Sequence, residues 1–206
     1  MSGILEAVYF SGLLLAVAIR APHELRRRQN RITVRHVGWL EAVLMALVVP
    51  GMVLLPAVYA LTPWLEFADY QLPPWAGLLG VAIFACSLWL FWRSHTDLGR
   101  NFSPTLHVRA NHTLVVHGVY RRVRHPMYAA QWLWGIAQVL LIHNWVAGFS
   151  GLVLSVLLYL LRIPREERMM AEHFGEKYRS YKDRTGRILP RPGRIADSYS
   201  RGTEPR

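Results

Sequence analysis

Residues 126–163 read PMYAAQWLWGIAQVLLIHNWVAGFSGLVLSVLLYLLRI. Two apolar runs of near-bilayer length stand here with only His143 and Asn144 between them. A membrane-spanning helix needs roughly 17 to 25 mostly apolar residues. In lipid, its backbone polar groups have to be satisfied within the segment. The stretch therefore predicts two membrane helices, residues 126–142 and 145–163, joined as a tight antiparallel hairpin. A hairpin returns its two ends to one membrane face. Side chains just before Pro126 and just after Ile163 are thus expected to meet, although they are far apart in sequence.

Three further apolar runs lie toward the amino terminus. They cover residues 4–20, with Glu6 near the outer end, residues 37–61 and residues 74–92. Pro50 and Pro56 are expected to kink the second. The fold class that follows is an all-α integral membrane protein with about five transmembrane helices. Arginine placement orients it. Arg20, Arg26, Arg27, Arg28, Arg31 and Arg35 lie at or between the first two runs. Arg93, Arg100, Arg109, Arg121, Arg122 and Arg124 lie between the third and fourth. The connection between the second and third runs carries Glu66 and Asp69 and no lysine or arginine. The expected topology puts the amino terminus outside and the carboxyl terminus in the cytoplasm. Trp64, Trp75, Trp92 and Trp145 fall near helix ends, as interfacial aromatics do.

The chain has 206 residues, is 52% hydrophobic and carries a formal net charge of +11. Nucleic-acid binding is the competing explanation for such a charge. It is set aside because the charge is confined to gaps between bilayer-length apolar runs. One cysteine, Cys86, allows no intrachain disulfide and no cysteine-based metal site. The histidines show no ligand spacing within one helix, so no metal is expected. The first run lacks a basic leader and a small-residue cleavage site and is kept as a helix. Three parts are expected: residues 1–95, three helices with a basic cytoplasmic loop; residues 96–190, a catalytic region; and residues 191–206, a Pro/Gly/Ser/Arg-rich tail that reads as disordered.

The chemically useful side chains flank the hairpin. Before it comes HTLVVHGVYRRVRHPMY, residues 112–128. Pro126 suits the first turn of a helix. The open N–H groups of that turn favour an anion, reinforced by Arg121, Arg122 and Arg124. At the hairpin's other end comes RIPREERMMAEHFGEKYRSY, residues 162–181. Arg162 and Glu166 share a helical face, with Pro164 disturbing the helix between them. The acid pair Glu166 and Glu167 sits among arginines. A positive-inside cluster and a solvated charged face would account for these two segments if each is taken alone.

Taken together, the two segments resemble the isoprenylcysteine carboxyl methyltransferase family. The matching residues are His112-Thr113-Leu114-Val115, Gly118-Val119-Tyr120, Arg124-His125-Pro126-Met127-Tyr128, Arg162 four before Glu166, and Phe174-Gly175 followed by Tyr178 and Tyr181. The likeness covers residues 101–190. The resemblance implies methyl transfer from S-adenosylmethionine to a prenylcysteine-like carboxylate at a cytoplasm-facing site. It implies that His112, Thr113, Leu114, Val115, Tyr120, His125, Pro126, Met127 and Tyr128 line the cofactor site, with Glu166 contacting the same cofactor. His107 stands nearest to a further polar cofactor contact. Arg162 would hold the acceptor carboxylate, and Arg162 with Glu166 would form the catalytic pair. The expected partners are a lipidic or prenylated acceptor and membrane lipids.

Arg-His-Pro-x-Tyr alone is shared with membrane phospholipid methyltransferases and sterol-type reductases, which keeps three rivals. A phospholipid amine methyltransferase would need a base such as His125 or Glu167. An NADPH-dependent ene reductase would use Arg121, Arg122 and Arg124 for phosphate. A non-enzymatic scaffold would not require two polar segments to converge beside a hairpin.

Overall fold

The computed structural model describes residues 2–28, 39–99 and 113–191. His107, His112, part of the basic loop and nearly all of the tail lie outside the described residues. Every regular element among the described residues is helical; β-pairing is confined to two isolated bridges.

Helix α1 (Ser2–Arg28) comes first. Helix α2 (Trp39–Val49) runs through a π-helical turn (Pro50–Leu54) into α3 (Leu55–Leu61). Helix α4 (Pro74–Leu98) is followed by the 3-10 turn Gly118–Arg121 and by α5 (Pro126–Leu141). Helix α6 (Trp145–Leu157) passes through a second π turn (Leu158–Arg162) into α7 (Ile163–Phe174), and α8 (Glu176–Arg184) closes the described chain. Among the described residues, four helical rods are long and apolar enough to cross a membrane: Gly3–Glu24, Ala42–Leu61, Pro74–Leu98 and Trp145–Phe174. Helix α5 has 16 residues. At 1.5 Å per residue it reaches about 24 Å, short of a full hydrocarbon core.

Helix α5 forms the middle of the bundle, packed on α4 on one side and α6 on the other. Small residues permit the close α5–α6 approach. A Cβ on Gly135 would sit 2.7 Å from the Leu152 Cα, and Gly151 lies against the Gln138 side chain. The hairpin turn is short, as its sequence requires. Asn144 caps α6 by accepting from the Val146 and Ala147 N–H groups, each at 3.0 Å. Its Nδ2 donates to the Leu65 carbonyl at 2.6 Å and to Asp69 Oδ1 at 2.8 Å, tying the hairpin to the α3–α4 connection.

Where the sequence predicts kinks at Pro50 and Pro56, the winding of the helix changes. Pro56 has no N–H to close the preceding turn, and the helix answers with π-helical winding over Pro50–Leu54. The carbonyls left over are taken by neighbouring side chains. Tyr9 Oη donates to the Met52 carbonyl at 2.8 Å, and Gln138 Nε2 donates to the Gly51 carbonyl at 3.0 Å. Gln138 Oε1 accepts from Tyr9 Oη at 2.9 Å, so this polar knot is closed inside an apolar bundle. Tyr9, Phe84 and Trp134 pack around it, with Tyr9 and Phe84 stacked at 5.6 Å and Phe84 and Trp134 edge-on at 4.9 Å.

Pro164 receives the same treatment. The rod from Trp145 does not stop at residue 163, because the π turn Leu158–Arg162 absorbs the missing donor and the helix runs on to Phe174. Thirty residues give about 45 Å, so α7 with Arg165, Glu166, Glu167 and Arg168 projects beyond the apolar layer.

Candidate active site

Three pieces of chain meet where α5 begins and the Trp145–Phe174 rod leaves the apolar layer. The first is the turn before α5. Gly118 has φ +58°, and a Cβ there would lie 2.1 Å from Asp97 Oδ2. Only glycine lets the Asp97 carboxylate accept from the Val119 N–H at 2.9 Å. This anchors the turn to the end of α4. Tyr120 is buried behind it, its hydroxyl 3.3 Å from the Ser94 carbonyl, and burial pushes that phenol well above its ordinary range. Tyr181, from α8, donates to the Tyr120 carbonyl at 2.6 Å. Gly175, at φ +54°, makes the turn that brings α8 back toward this place.

The second piece is the start of α5. His125 is the N-cap residue and Pro126 opens the helix, fully buried. The third is the π turn and α7, which present Arg162 and then the two acids. Tyr128, on the first turn of α5, stands between them. Its hydroxyl donates to Glu166 Oε2 at 2.8 Å, and the Arg162 guanidinium carbon lies 6.0 Å from its ring centre. Arg162 Nη1 also reaches Met45 Sδ at 3.0 Å. His125 Nδ1 lies 3.8 Å from Glu166 Oε1. A carboxylate and a guanidinium are thus held on one aromatic ring, able to take hydrogen-bond donors on one side and an anion on the other.

Glu167, one residue on, points elsewhere, because neighbours on a helix diverge by about 100°. Its side chain is 6% exposed. Arg124 Nε and Arg187 Nε both donate to Oε1 at 3.2 Å, and Arg187 Nη2 donates to Oε2 at 2.9 Å. His125 Nε2 lies 3.4 Å away, without hydrogen-bond alignment, and Lys182 Nζ 3.6 Å away. Burial by itself would raise this carboxyl. The contacts with His125 and Arg187 and the Arg124 charge outweigh it and hold the group far below the usual carboxylate range.

Of the sequence-expected residues, the structure brings Tyr128, Arg162, Glu166, His125 and Pro126 together. Met127 is half-buried on the same turn, and Thr113, Leu114 and Val115 lead toward the 3-10 turn with only Val115 buried. Tyr120 is present but committed to backbone. The hub around Glu167, and Arg187 with it, was not expected. The signal available for Glu167 was the acid pair itself, since two adjacent helical residues cannot serve one spot. No spacing pointed to Arg187.

Residues 78–172 match the family model described as isoprenylcysteine carboxyl methyltransferase (ICMT). A human protein-S-isoprenylcysteine O-methyltransferase is 30% identical over 142 residues, covering 65% of this chain and 50% of the relative. The Arabidopsis thaliana protein-S-isoprenylcysteine O-methyltransferase A is 31% identical over 94 residues, covering 45% and 48%. The chain spans about half the length of the curated relatives it matches. A solved structure of a eukaryotic intramembrane Ras methyltransferase, isoprenylcysteine carboxyl methyltransferase, superposes with a TM-score of 0.51 at 23% identity. It covers 77% of this chain and 54% of that one, and it shows a shared membrane fold.

Proposed function

We propose that this protein is a membrane O-methyltransferase dependent on S-adenosylmethionine, because residues 78–172 match the isoprenylcysteine carboxyl methyltransferase family model. Its acceptor is the carboxylate of an isoprenylcysteine-like or other lipidic molecule. The observation that carries the reading is the meeting of Tyr128, Glu166 and Arg162 from two distant segments.

The donor set fits such a cofactor. Glu166 can accept from its amino or hydroxyl hydrogens, and the first turn of α5 favours its carboxylate. The Tyr128 ring offers an aromatic face to a cation. Thr113, Leu114 and Val115 extend the proposed wall, and the family resemblance adds His107 and His112, which lie outside the described residues. Bound there, S-adenosylmethionine supplies a methyl group activated on a sulfonium. The chain's own task is to present an oxygen to it. An acceptor carboxylate is already ionised at neutral pH, so no base is required. Arg162 aims it through a charge-assisted hydrogen bond and holds it in line. The lipid tail lies among the helices. The proposed topology has five crossings, the amino terminus outside, and the site and carboxyl terminus in the cytoplasm.

Two measurements on the detergent-purified protein test this. Calorimetric titration with S-adenosylhomocysteine should give saturable binding that Glu166→Ala removes, whereas NADPH should give none; the reverse pattern would move the protein to the reductases. Arg162→Ala should abolish transfer to a prenylcysteine carboxylate while leaving S-adenosylhomocysteine binding nearly intact. Undiminished turnover in that variant would remove Arg162 from the reaction.

A further inference from the structure

The Glu167 hub lies beside the proposed site rather than in it, and what it holds is a length of backbone. Beyond α8 the chain doubles back so that Gly186 pairs in parallel with Val123. The Arg124 N–H donates to the Gly186 carbonyl at 2.8 Å, the His125 N–H to the Arg187 carbonyl at 2.9 Å, and the Gly186 N–H to the Arg122 carbonyl at 3.1 Å. Residues 185–188 therefore lie as a strap along the turn that enters α5.

Side chains fasten both of its edges. Arg124 Nη1 donates to the Lys182 carbonyl at 2.9 Å and also to the Thr185 carbonyl. Arg187 reaches over to Glu167 on α7, and its guanidinium carbon lies 5.8 Å from the centre of the Tyr159 ring, within the π turn that delivers Arg162. Ile188 packs against the core. Gly186 can be nothing larger, since a Cβ would lie 1.7 Å from the Leu189 carbonyl oxygen. One buried carboxylate thus links α7, the strap and the entry to α5, the three pieces whose relative placement sets the distance between Tyr128, Glu166 and Arg162.

We infer that Glu167 is a positioning residue: with Arg124 and Arg187 it locks residues 185–188 across the entry turn of α5, and this lock sets the cofactor affinity of the neighbouring site. The inference rests on the proposed function for its second half only. Glu167 touches no reacting atom. It keeps His125 and the first turn of α5 in register with Glu166.

Arg187→Gln is the decisive variant, because it leaves the buried Arg124–Glu167 pair intact and the protein folded. Glu167→Gln is the harsher companion, since it strips Arg124 of its charged partner. Hydrogen exchange followed by mass spectrometry on the full chain in detergent reads the strap directly. In Arg187→Gln the amides of Arg124, His125 and Gly186 should exchange at least about tenfold faster than in the wild type. The dissociation constant of S-adenosylhomocysteine and the KM for the methyl donor should rise roughly fivefold or more, with a smaller fall in kcat. Arg179→Gln, on the exposed face of α8, should change none of these. Unaltered exchange in Arg187→Gln would overturn the lock. Faster exchange with unchanged affinity and KM would overturn its coupling to the site. A wild-type protein that takes up no S-adenosylhomocysteine would sink the cofactor reading, whereas the exchange measurement goes on deciding the strap.

Discussion

Replacing Tyr128 by phenylalanine removes one atom from the proposed site and leaves nearly everything else in place. The ring still supports the Arg162 guanidinium at 6.0 Å and still fills the corner of α5. What disappears is the hydroxyl that donates to Glu166 Oε2 at 2.8 Å. A hydrogen bond to a charged group contributes about 1.5 to 3 kcal/mol when desolvated. The Glu166 side chain is 29% exposed, so water can replace part of the loss and the lower end applies. About 1.5 kcal/mol corresponds to about a tenfold change in an equilibrium constant. If Glu166 is the polar anchor of the cofactor, that energy holds its carboxylate in the binding orientation. The tenfold change should then fall on the dissociation constant of S-adenosylhomocysteine, measured by calorimetry beside the wild type. The melting temperature should move little, because the freed carboxylate turns to solvent. A Tyr128→Phe protein that binds S-adenosylhomocysteine as tightly as wild type would refute the anchor role of Glu166 as this geometry presents it.

Further expectations rest on other parts of the molecule. Gln138→Leu removes the Nε2 donor to the Gly51 carbonyl and the Oε1 acceptor for Tyr9; it should destabilise by about 1 to 3 kcal/mol, read as an earlier thermal melt in detergent. Gly135→Ala places a methyl group 2.7 Å from the Leu152 Cα and should cost about 1 to 3 kcal/mol by forcing α5 and α6 apart, again visible in the melt. The depressed Glu167 carboxyl makes a pH prediction whose sign follows from linkage. The stability it contributes is fully present above the ordinary carboxylate value of 4.5 and is lost progressively as pH falls from there through its lower folded value. Exchange protection of Gly186 should therefore hold from neutral pH down to the ordinary carboxylate range and decline steadily in stronger acid. In Glu167→Gln that acid step should be absent.

The apolar runs announced the bundle because lipid leaves the backbone only one local solution, and the two-residue gap at His143 and Asn144 left room for nothing but a hairpin. Glycines and prolines were legible as punctuation, but not in their effect. Pro56 and Pro164 were expected to bend or disturb their helices. How a helix accommodates a proline depends on which groups receive the orphaned carbonyls. The receivers for Pro56 are Tyr9 and Gln138, both distant in sequence. The meeting of Arg162, Glu166 and Tyr128 could be read from hairpin geometry. The division of labour between Glu166 and Glu167 could not, because it is decided by Arg187, an arginine indistinguishable in sequence from its exposed neighbours until the chain doubles back. An isolated parallel bridge carries no periodicity to reveal it.

That division bears on which kind of acceptor the site can serve. An amine is protonated at neutral pH and must lose a proton before it can attack a methyl group, so amine methylation needs a base within hydrogen-bond reach. Glu167 and His125 are the bases that such a reading would draw on. Glu167 is enclosed by Arg124, Arg187 and Lys182, and the contacts that keep it ionised also make it a poor proton acceptor. His125 is 5% exposed, with one ring nitrogen toward each carboxylate, so both face protein rather than an incoming nucleophile. Glu166, already engaged by Tyr128, is the acid proposed to hold the cofactor. A carboxylate acceptor makes no such demand, since it arrives ionised and needs only a cation to aim it. Arg162, whose guanidinium carbon lies 6.0 Å from the Tyr128 ring centre, is the cation proposed for that task. On this proposal the acids hold and the arginine orients, which favours O-methylation over N-methylation on the chemistry of this chain's own side chains.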